Sequence, residues 1–201
     1  MNKKTANKEA RLKILALLVA FLAGSLTLIA VLLFVAPRDV TRPSSVGGPF
    51  TLIDQNGKTV TEANFKGKPF LVFFGFTHCP DVCPTTLYEI SEVFKQLGPD
   101  ANKTAALFIT VDPERDTPEE LKRYISSFHS GIVGLTGSQE AIDAVKREYR
   151  VFAKKVPGKD GDYTMDHTAV IFLMDKEGRF VAPFNLSRSA DEAAADLRRR
   201  L

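Results

Sequence analysis

Between Ile14 and Ala36 the chain reads ILALLVAFLAGSLTLIAVLLFVA, without one charged side chain. Nothing else in its 201 residues restricts the fold so strongly. As a helix this run rises ~35 Å at ~1.5 Å per residue, enough to cross the hydrocarbon core of a bilayer. A cleaved signal peptide is the alternative, but its apolar stretch is usually only ~7–15 residues. Phe34-Val35-Ala36 is also not a small-x-small cleavage pattern. The expectation is a transmembrane helix over 14–36. Lys3, Lys4, Lys8, Arg11 and Lys13 crowd ahead of it against the single acid Glu9. That imbalance places the basic segment 1–13 in the cytoplasm and everything after Ala36 outside. No cysteine lies near the helix exit, which argues against a lipoprotein anchor.

The basic segment exceeds the whole chain's net charge of +3, so the remainder is slightly acidic. No basic face is left to argue for nucleic acid. Residues 37–49, PRDVTRPSSVGGP, read as a tether between the membrane helix and a single domain over 50–201.

Within that domain, Phe50 to Ile53 and Lys58 to Val60 flank Asn56-Gly57, a hairpin signal. Phe70 to Phe76 (FLVFFGF) and Ala105 to Val111 (AALFITV) are apolar throughout, as strands buried on both faces are. Between them, Thr85 to Leu97 places Leu87, Ile90, Phe94 and Leu97 on one helical stripe that Gly98-Pro99 closes. Thr117-Pro118-Glu119-Glu120 predicts a helix with an N-cap, Pro at the first position and a capping-box Glu. Ser138 opens a further helix to about Tyr149. Thr168 to Met174 and Arg179 to Ala182 predict a hairpin around Asp175 to Gly178, and Ser189 with Glu192 caps a last helix. The order is hairpin, β-α-β-α, a helical insertion, then β-β-α. That is a thioredoxin-like α/β arrangement, a small mixed sheet flanked by helices.

The only two cysteines, Cys79 and Cys83, lie where the first central strand passes into its helix. A helix start presents unpaired N–H groups and a positive dipole end, which favour thiolate, the form that binds metals and attacks disulfides. A bridge across so short a loop removes little unfolded-chain entropy, so stapling is a poor reason for the pair. Thioredoxin-type redox sites have two intervening residues here, whereas this chain has three, enough to splay two sulfurs around one ion.

Three histidines are available as partners. His129, near the end of the Thr117 helix, is expected to be structural. His78 adjoins Cys79, but neighbouring side chains of an extended segment point to opposite faces, so a solvated role is expected. His167 just precedes the Thr168 strand, and the loop entering that strand lies against the helix start in a thioredoxin-like fold. Two thiolates and an imidazole make a soft, low-coordinate site suited to Cu(I) and able to take Cu(II), whereas structural zinc normally takes four ligands. Asp81 could tune the charge of the site, Asp166 could orient His167, and Met165 is a soft atom nearby. An ordinary helix-start acid, turn acid and core filler are the respective alternatives. The stretch Asp112 to Asp116 is expected to fix the loop and cap beside the site.

Gly75 to Pro84 (GFTHCPDVCP), Thr110 to Pro118 (TVDPERDTP) and Asp166-His167-Thr168 together resemble the Sco/SenC family of copper proteins. The likeness spans about 48–201 with the tether and membrane helix, and no ligand position departs from it. It implies a thioredoxin fold with copper bound by Cys79, Cys83 and His167. It also implies a role in assembling the dinuclear copper centre of cytochrome c oxidase subunit II. The expected setting is a bacterial-type inner membrane with the domain in the periplasm. Other copper chaperones and thioredoxin-like reductants are further expected partners.

The leading reading is a copper metallochaperone that delivers its ion by ligand exchange. The rival is a thiol–disulfide reductase keeping the oxidase's copper-ligand cysteines reduced, with Cys79 and Cys83 as a redox-active pair. A peroxidase of the same superfamily lacks a clear acid–base set here. The three-residue spacing and His167 favour metal, since a dithiol reductase has no need of that imidazole.

Overall fold

The computed structural model describes residues 3–35, 46–158 and 161–201, and within the first of these the side chains of 13–29. The chain divides into two compact units, Met1–Arg42 and Pro43–Leu201. In the first, helix α1 (Lys3–Val35) carries the apolar run. Leu15, Leu17, Val19 and Phe21, on different sides of the helix, are all more than half exposed. Thr27 satisfies its own hydroxyl by donating to the Ala23 carbonyl, so the run presents little that needs water. Among the described residues no helix is long and apolar enough to cross a membrane. The side chains of 30–36, which complete the run, lie outside the described ones, as do tether positions 37–45.

The second unit opens with the expected hairpin, β1 (Thr51–Asp54) and β2 (Thr59–Thr61). Asp54 Oδ1 accepts from the Asn56 and Lys58 amides, and Gly57 takes the positive φ that the turn requires. There follow β3 (Phe70–Gly75), α2 (Val82–Leu97) and β4 (Ala105–Thr110). Strands β3 and β4 pair in parallel, and every residue of both is buried. Phe73 and Gly75 point to one side of the sheet and Phe74 to the other, so apolar residues are needed at consecutive positions.

Helix α3 (Pro118–Ile125) begins as expected, with Thr117 Oγ accepting from the Glu120 amide. The reciprocal capping-box bond is absent, because the Glu120 carboxylate accepts instead from Arg123 at 2.7 Å. The helix also stops four residues short of His129. Next come β5 (Ile132–Thr136) and α4 (Gln139–Tyr149), the latter capped by Ser138. Strand β5 corrects the expectation of a purely helical insertion, since it joins β4 in parallel and β1 antiparallel. Its Gly134 leaves room for α3, whose Leu121 and Ile125 would stand 3.3 Å from a Cβ placed there.

A second feature outside the expected order is a two-stranded antiparallel ribbon, β6 (Ala153–Pro157) and β7 (Tyr163–His167), separate from the main sheet. The chain then returns through β8 (Ile171–Met174), β9 (Phe180–Pro183) and α5 (Ala190–Arg198), whose Ser189–Glu192 capping box is complete. Strand β8 starts three residues later than expected, because Thr168 instead closes the base of the ribbon against Phe152. The sheet order is β2-β1-β5-β4-β3-β8-β9, with β8 antiparallel to β3. Helices α2 and α3 cover the Gly75 side, while Tyr149 of α4 rests on Phe74 and Phe172 on the other. This is the mixed, helix-flanked, thioredoxin-like sheet.

Candidate metal centre

Helix α2 begins at Val82, three residues before the expected start, which sets Cys83 in its first turn. Pro84 fits there because first-turn amides have no intrahelical acceptor to lose. Cys83 is fully buried, and its sulfur reaches the sheet only because Gly75 has no side chain. A Cβ at Gly75 would stand 2.8 Å from Cys83 Sγ and 2.6 Å from the Phe108 ring. Cys79, partly exposed, sits one turn earlier, its Sγ accepting from the Cys83 amide at 3.3 Å. Both cysteines are free thiols.

Burial pushes the Cys83 thiol well above its ordinary pKa, while a hydrogen bond from the Phe76 backbone opposes that rise. The expected dipole effect is therefore outweighed at this position. Cys83 stays protonated near neutral pH until something replaces the proton.

His167 is the last residue of β7 rather than part of a loop entering the next strand. Its Nε2 stands 3.8 Å from Cys83 Sγ, and its Nδ1 lies 3.1 Å from the Thr168 carbonyl oxygen. Only a protonated Nδ1 can satisfy that carbonyl, which leaves the Nε2 lone pair facing the sulfur. Phe76 holds the imidazole edge-to-face, with ring centroids 5.8 Å apart. Phe76, Cys79, Val82, Met165 and His167 line a cleft of ≈ 260 Å³. Among the described residues no three His, Cys, Asp or Glu groups stand close enough to hold a metal as they are. Cys83 and His167 already face each other, and Cys79 sits at the same cleft with its sulfur turned to the helix amide. In donor chemistry, two sulfurs and an imidazole nitrogen fit a soft ion such as copper.

The other sequence candidates fall outside this group or beside it. His78 is exposed and keeps to Thr77 Oγ, 3.0 Å away, and to the Asp116 carboxylate. His129 accepts from the Gly131 amide and lies edge-on to Phe94, a structural role carried by those contacts rather than by a helix end. Asp81 is the exposed N-cap residue of α2 and makes no side-chain cap bond. Asp166 is exposed opposite Lys154 and does not orient His167, a task done by the Thr168 carbonyl. Met165 lines the cleft and also packs on the core.

The loop from Asp112 to Asp116 is built as a buried polar network. Asp116 accepts from the Thr77 amide and from the hydroxyls of Thr77 and Thr110, so it ties the segment before Cys79 to the end of β4. Asp112 accepts from Arg115 and from the Tyr163 hydroxyl on β7. Gly75, Phe76, Thr168 and Arg115 lie within the quoted motifs, but the sequence assigns them none of these roles, because Phe76 and Arg115 act on residues far along the chain and Gly75 and Thr168 act through backbone geometry.

A family model for SCO1/SenC matches residues 38–201, most of the chain. The chain belongs to the SCO1/SenC family. The structure of Bradyrhizobium japonicum ScoI with copper bound is 64% identical and superposes with a TM-score of 0.76, covering 78% of this Sco-family chain and 99% of that one. BsSco, a member of the Sco family of cytochrome c oxidase assembly proteins in which a disulfide switch has been identified, is 26% identical with a TM-score of 0.62, over 78% of this chain and 94% of its own. The mitochondrial SCO1 homolog 1 of Arabidopsis thaliana is 42% identical over 149 residues, 74% of this chain. This Sco chain spans 45% of the length of that Arabidopsis relative.

Proposed function

We propose that the chain is a membrane-anchored copper metallochaperone that carries one copper on Cys79, Cys83 and His167. Its acceptor is the dinuclear copper centre of cytochrome c oxidase subunit II. The observation that carries this reading is the facing of Cys83 Sγ and His167 Nε2 at 3.8 Å, with Nδ1 committed to the Thr168 carbonyl. An imidazole fixed in that tautomer presents a lone pair to the space a metal would share with sulfur. Copper is cargo here. Loading displaces the Cys83 proton and turns Cys79 Sγ away from the Cys83 amide. Delivery is then exchange of these ligands for those of the acceptor, with no turnover of a substrate. Copper-bound ScoI and the oxidase-assembly role of BsSco support the choice of ion and destination. In this reading α1 spans a bacterial-type inner membrane, 1–13 is cytoplasmic, 37–49 is the tether and 50–201 works in the periplasm.

A second reading rests on the cysteines alone. Both are free, and one helical turn separates them, so the dithiol can close to a disulfide while a partner's disulfide is reduced to two thiols. His167→Ala separates the two readings. In the full chain, reduced and purified in detergent, the parent binds one copper per chain. The variant is expected to lose Cu(II) binding severely and Cu(I) binding less, because two thiolates suffice for Cu(I). Cells carrying it should fail to assemble the oxidase. Normal assembly with His167→Ala at ordinary copper levels, alongside failure with Cys83→Ala, would sink the carrier reading.

A further inference from the structure

The strands of the ribbon that carries His167 pair only with each other, standing apart from the seven-stranded sheet. An isolated two-stranded ribbon is marginal in water, so something else must fix it. The loop after β4 does so at both strands. On β7, Arg115 Nη1 donates to the Tyr163 carbonyl at 3.0 Å and to Asp162 at 3.3 Å. Its guanidinium lies 3.7 Å from the Tyr163 ring centroid, while its Nε donates to the buried Asp112 carboxylate. The Tyr163 hydroxyl donates to the other oxygen of that carboxylate at 2.9 Å. On β6, Lys155 pairs with Glu114 and lies 4.6 Å from the same Tyr163 ring.

Residues 163, 165 and 167 share one face of β7 by strand alternation. The grip at Tyr163 is thus exerted on the same face that presents His167. Arg115 also stands 5.9 Å from the centroid of the Phe76 ring, against which His167 rests. An arginine side chain only 18% exposed, with one Nη2 buried and unpartnered, is costly unless its geometry is needed.

We propose that Arg115 is a positioning residue for His167: by clamping Tyr163 to Asp112 and backing Phe76, it sets the imidazole over the cysteine pair. The inference rests on His167 being a copper ligand. Outer partners that orient a ligand histidine typically matter ~10–100-fold in metal affinity, and that sets the expected size. Arg115 makes no contact with either sulfur, and its grip reaches the imidazole through Tyr163 and Phe76.

The test uses the full chain, reduced and purified in detergent, with Cu(II) and Cu(I) as separate probes. Arg115→Met is expected to weaken Cu(II) binding ~10–100-fold and to reduce the nitrogen hyperfine splitting in its electron paramagnetic resonance spectrum. Cu(I) binding should stay close to the parent's. Amides 164–167 should exchange hydrogen faster in the metal-free variant, a readout independent of copper. Added to His167→Ala, Arg115→Met should cost no further Cu(II) affinity, since the ligand it positions is gone. Tyr163→Phe loses only the hydroxyl bond to Asp112, so it should fold and shift every readout the same way by less. A lower melting temperature with unchanged Cu(II) affinity and spectrum in both variants would overturn the proposal. So would a full additive loss in the double variant. If His167→Ala itself binds Cu(II) as the parent does, the ligand assignment fails first and takes this inference with it, a result distinct from loss at His167 alone.

Discussion

A methyl group at Gly75 would collide with Cys83 Sγ at 2.8 Å and with Phe108 at 2.6 Å, and both neighbours are fully buried. Neither can swing into solvent, so the helix start or the sheet must give way. Overpacking of this kind costs about 1–3 kcal/mol. Gly75→Ala is expected to lower the urea midpoint accordingly and to weaken copper binding, because Cys83 moves relative to His167. A variant as stable as the parent with unaltered copper affinity would show that the sulfur has slack. The sequence picks out the three proposed ligands as residues, two cysteines at a strand-to-helix junction and one histidine ahead of a late strand, and the structure brings Cys83 and His167 face to face. What holds them was not legible. Gly75 and Arg115 stand inside the quoted motifs, and the Asp112 to Asp116 loop is expected to brace the site, but nothing local shows which atoms they meet. The Tyr163 carbonyl that Arg115 meets is 48 positions downstream, a separation that no local pattern encodes.

Elements with strong apolar patterning were equally legible: β3, β4, α2, α4 and α5 lie close to where the sequence puts them. The misses have physical causes. Strand β5 is five residues long and interrupted by Gly134, so its pattern is weak, and only pairing with β1 and β4 defines it. The β6–β7 ribbon is largely exposed and polar, hence without the apolar alternation that marks a half-buried strand. The loop joining β4 to α3 yields a pH prediction. Burial raises the Asp116 carboxyl above its usual value, and the hydrogen bonds from Thr110 and Thr77 offset this only in part. The folded state therefore binds a proton at pH values where the unfolded chain, with a carboxyl near ~3.9, has released it. Stability from this group falls as pH rises through the folded pKa, and it increases as pH drops toward the unfolded value. Asp116→Asn removes the titration. Urea unfolding of both forms between about pH 4 and 7 should show the parent gaining on the variant toward acid. A gap that narrows on acidification would mean that the hydrogen bonds, not burial, govern this carboxyl.

At the scale of the whole molecule the two units obey different solvent rules. In Pro43–Leu201 large apolar side chains are gathered into one core, with Phe73, Phe74, Phe94 and Phe108 at 1% exposure or less. In α1 the reverse holds, with Phe21 at 76% exposure and Leu17 at 71%. A helix apolar on every side has no polar face to turn toward water, and such patches mark contact with a membrane or another protein. The proposed reading takes the first, with the charge-free run of 14–36 as the span and the basic cluster before it setting the direction of insertion. If the chain is the anchored copper carrier proposed above, the anchor has a further effect. Holding carrier and acceptor on one membrane converts encounter in a volume into encounter near a surface, which raises effective concentration. Carbonate-washed membranes from cells expressing the chain should retain it at full length, with residues 50–201 open to protease from the periplasmic side. Deleting 1–36 behind an exported leader should give a soluble form that still binds copper but supports oxidase assembly only when overproduced. A full-length chain released by carbonate would make the attachment peripheral. A native form starting near Pro37 would replace the anchor with a cleaved leader. Proximity would then have to come from affinity between carrier and oxidase alone.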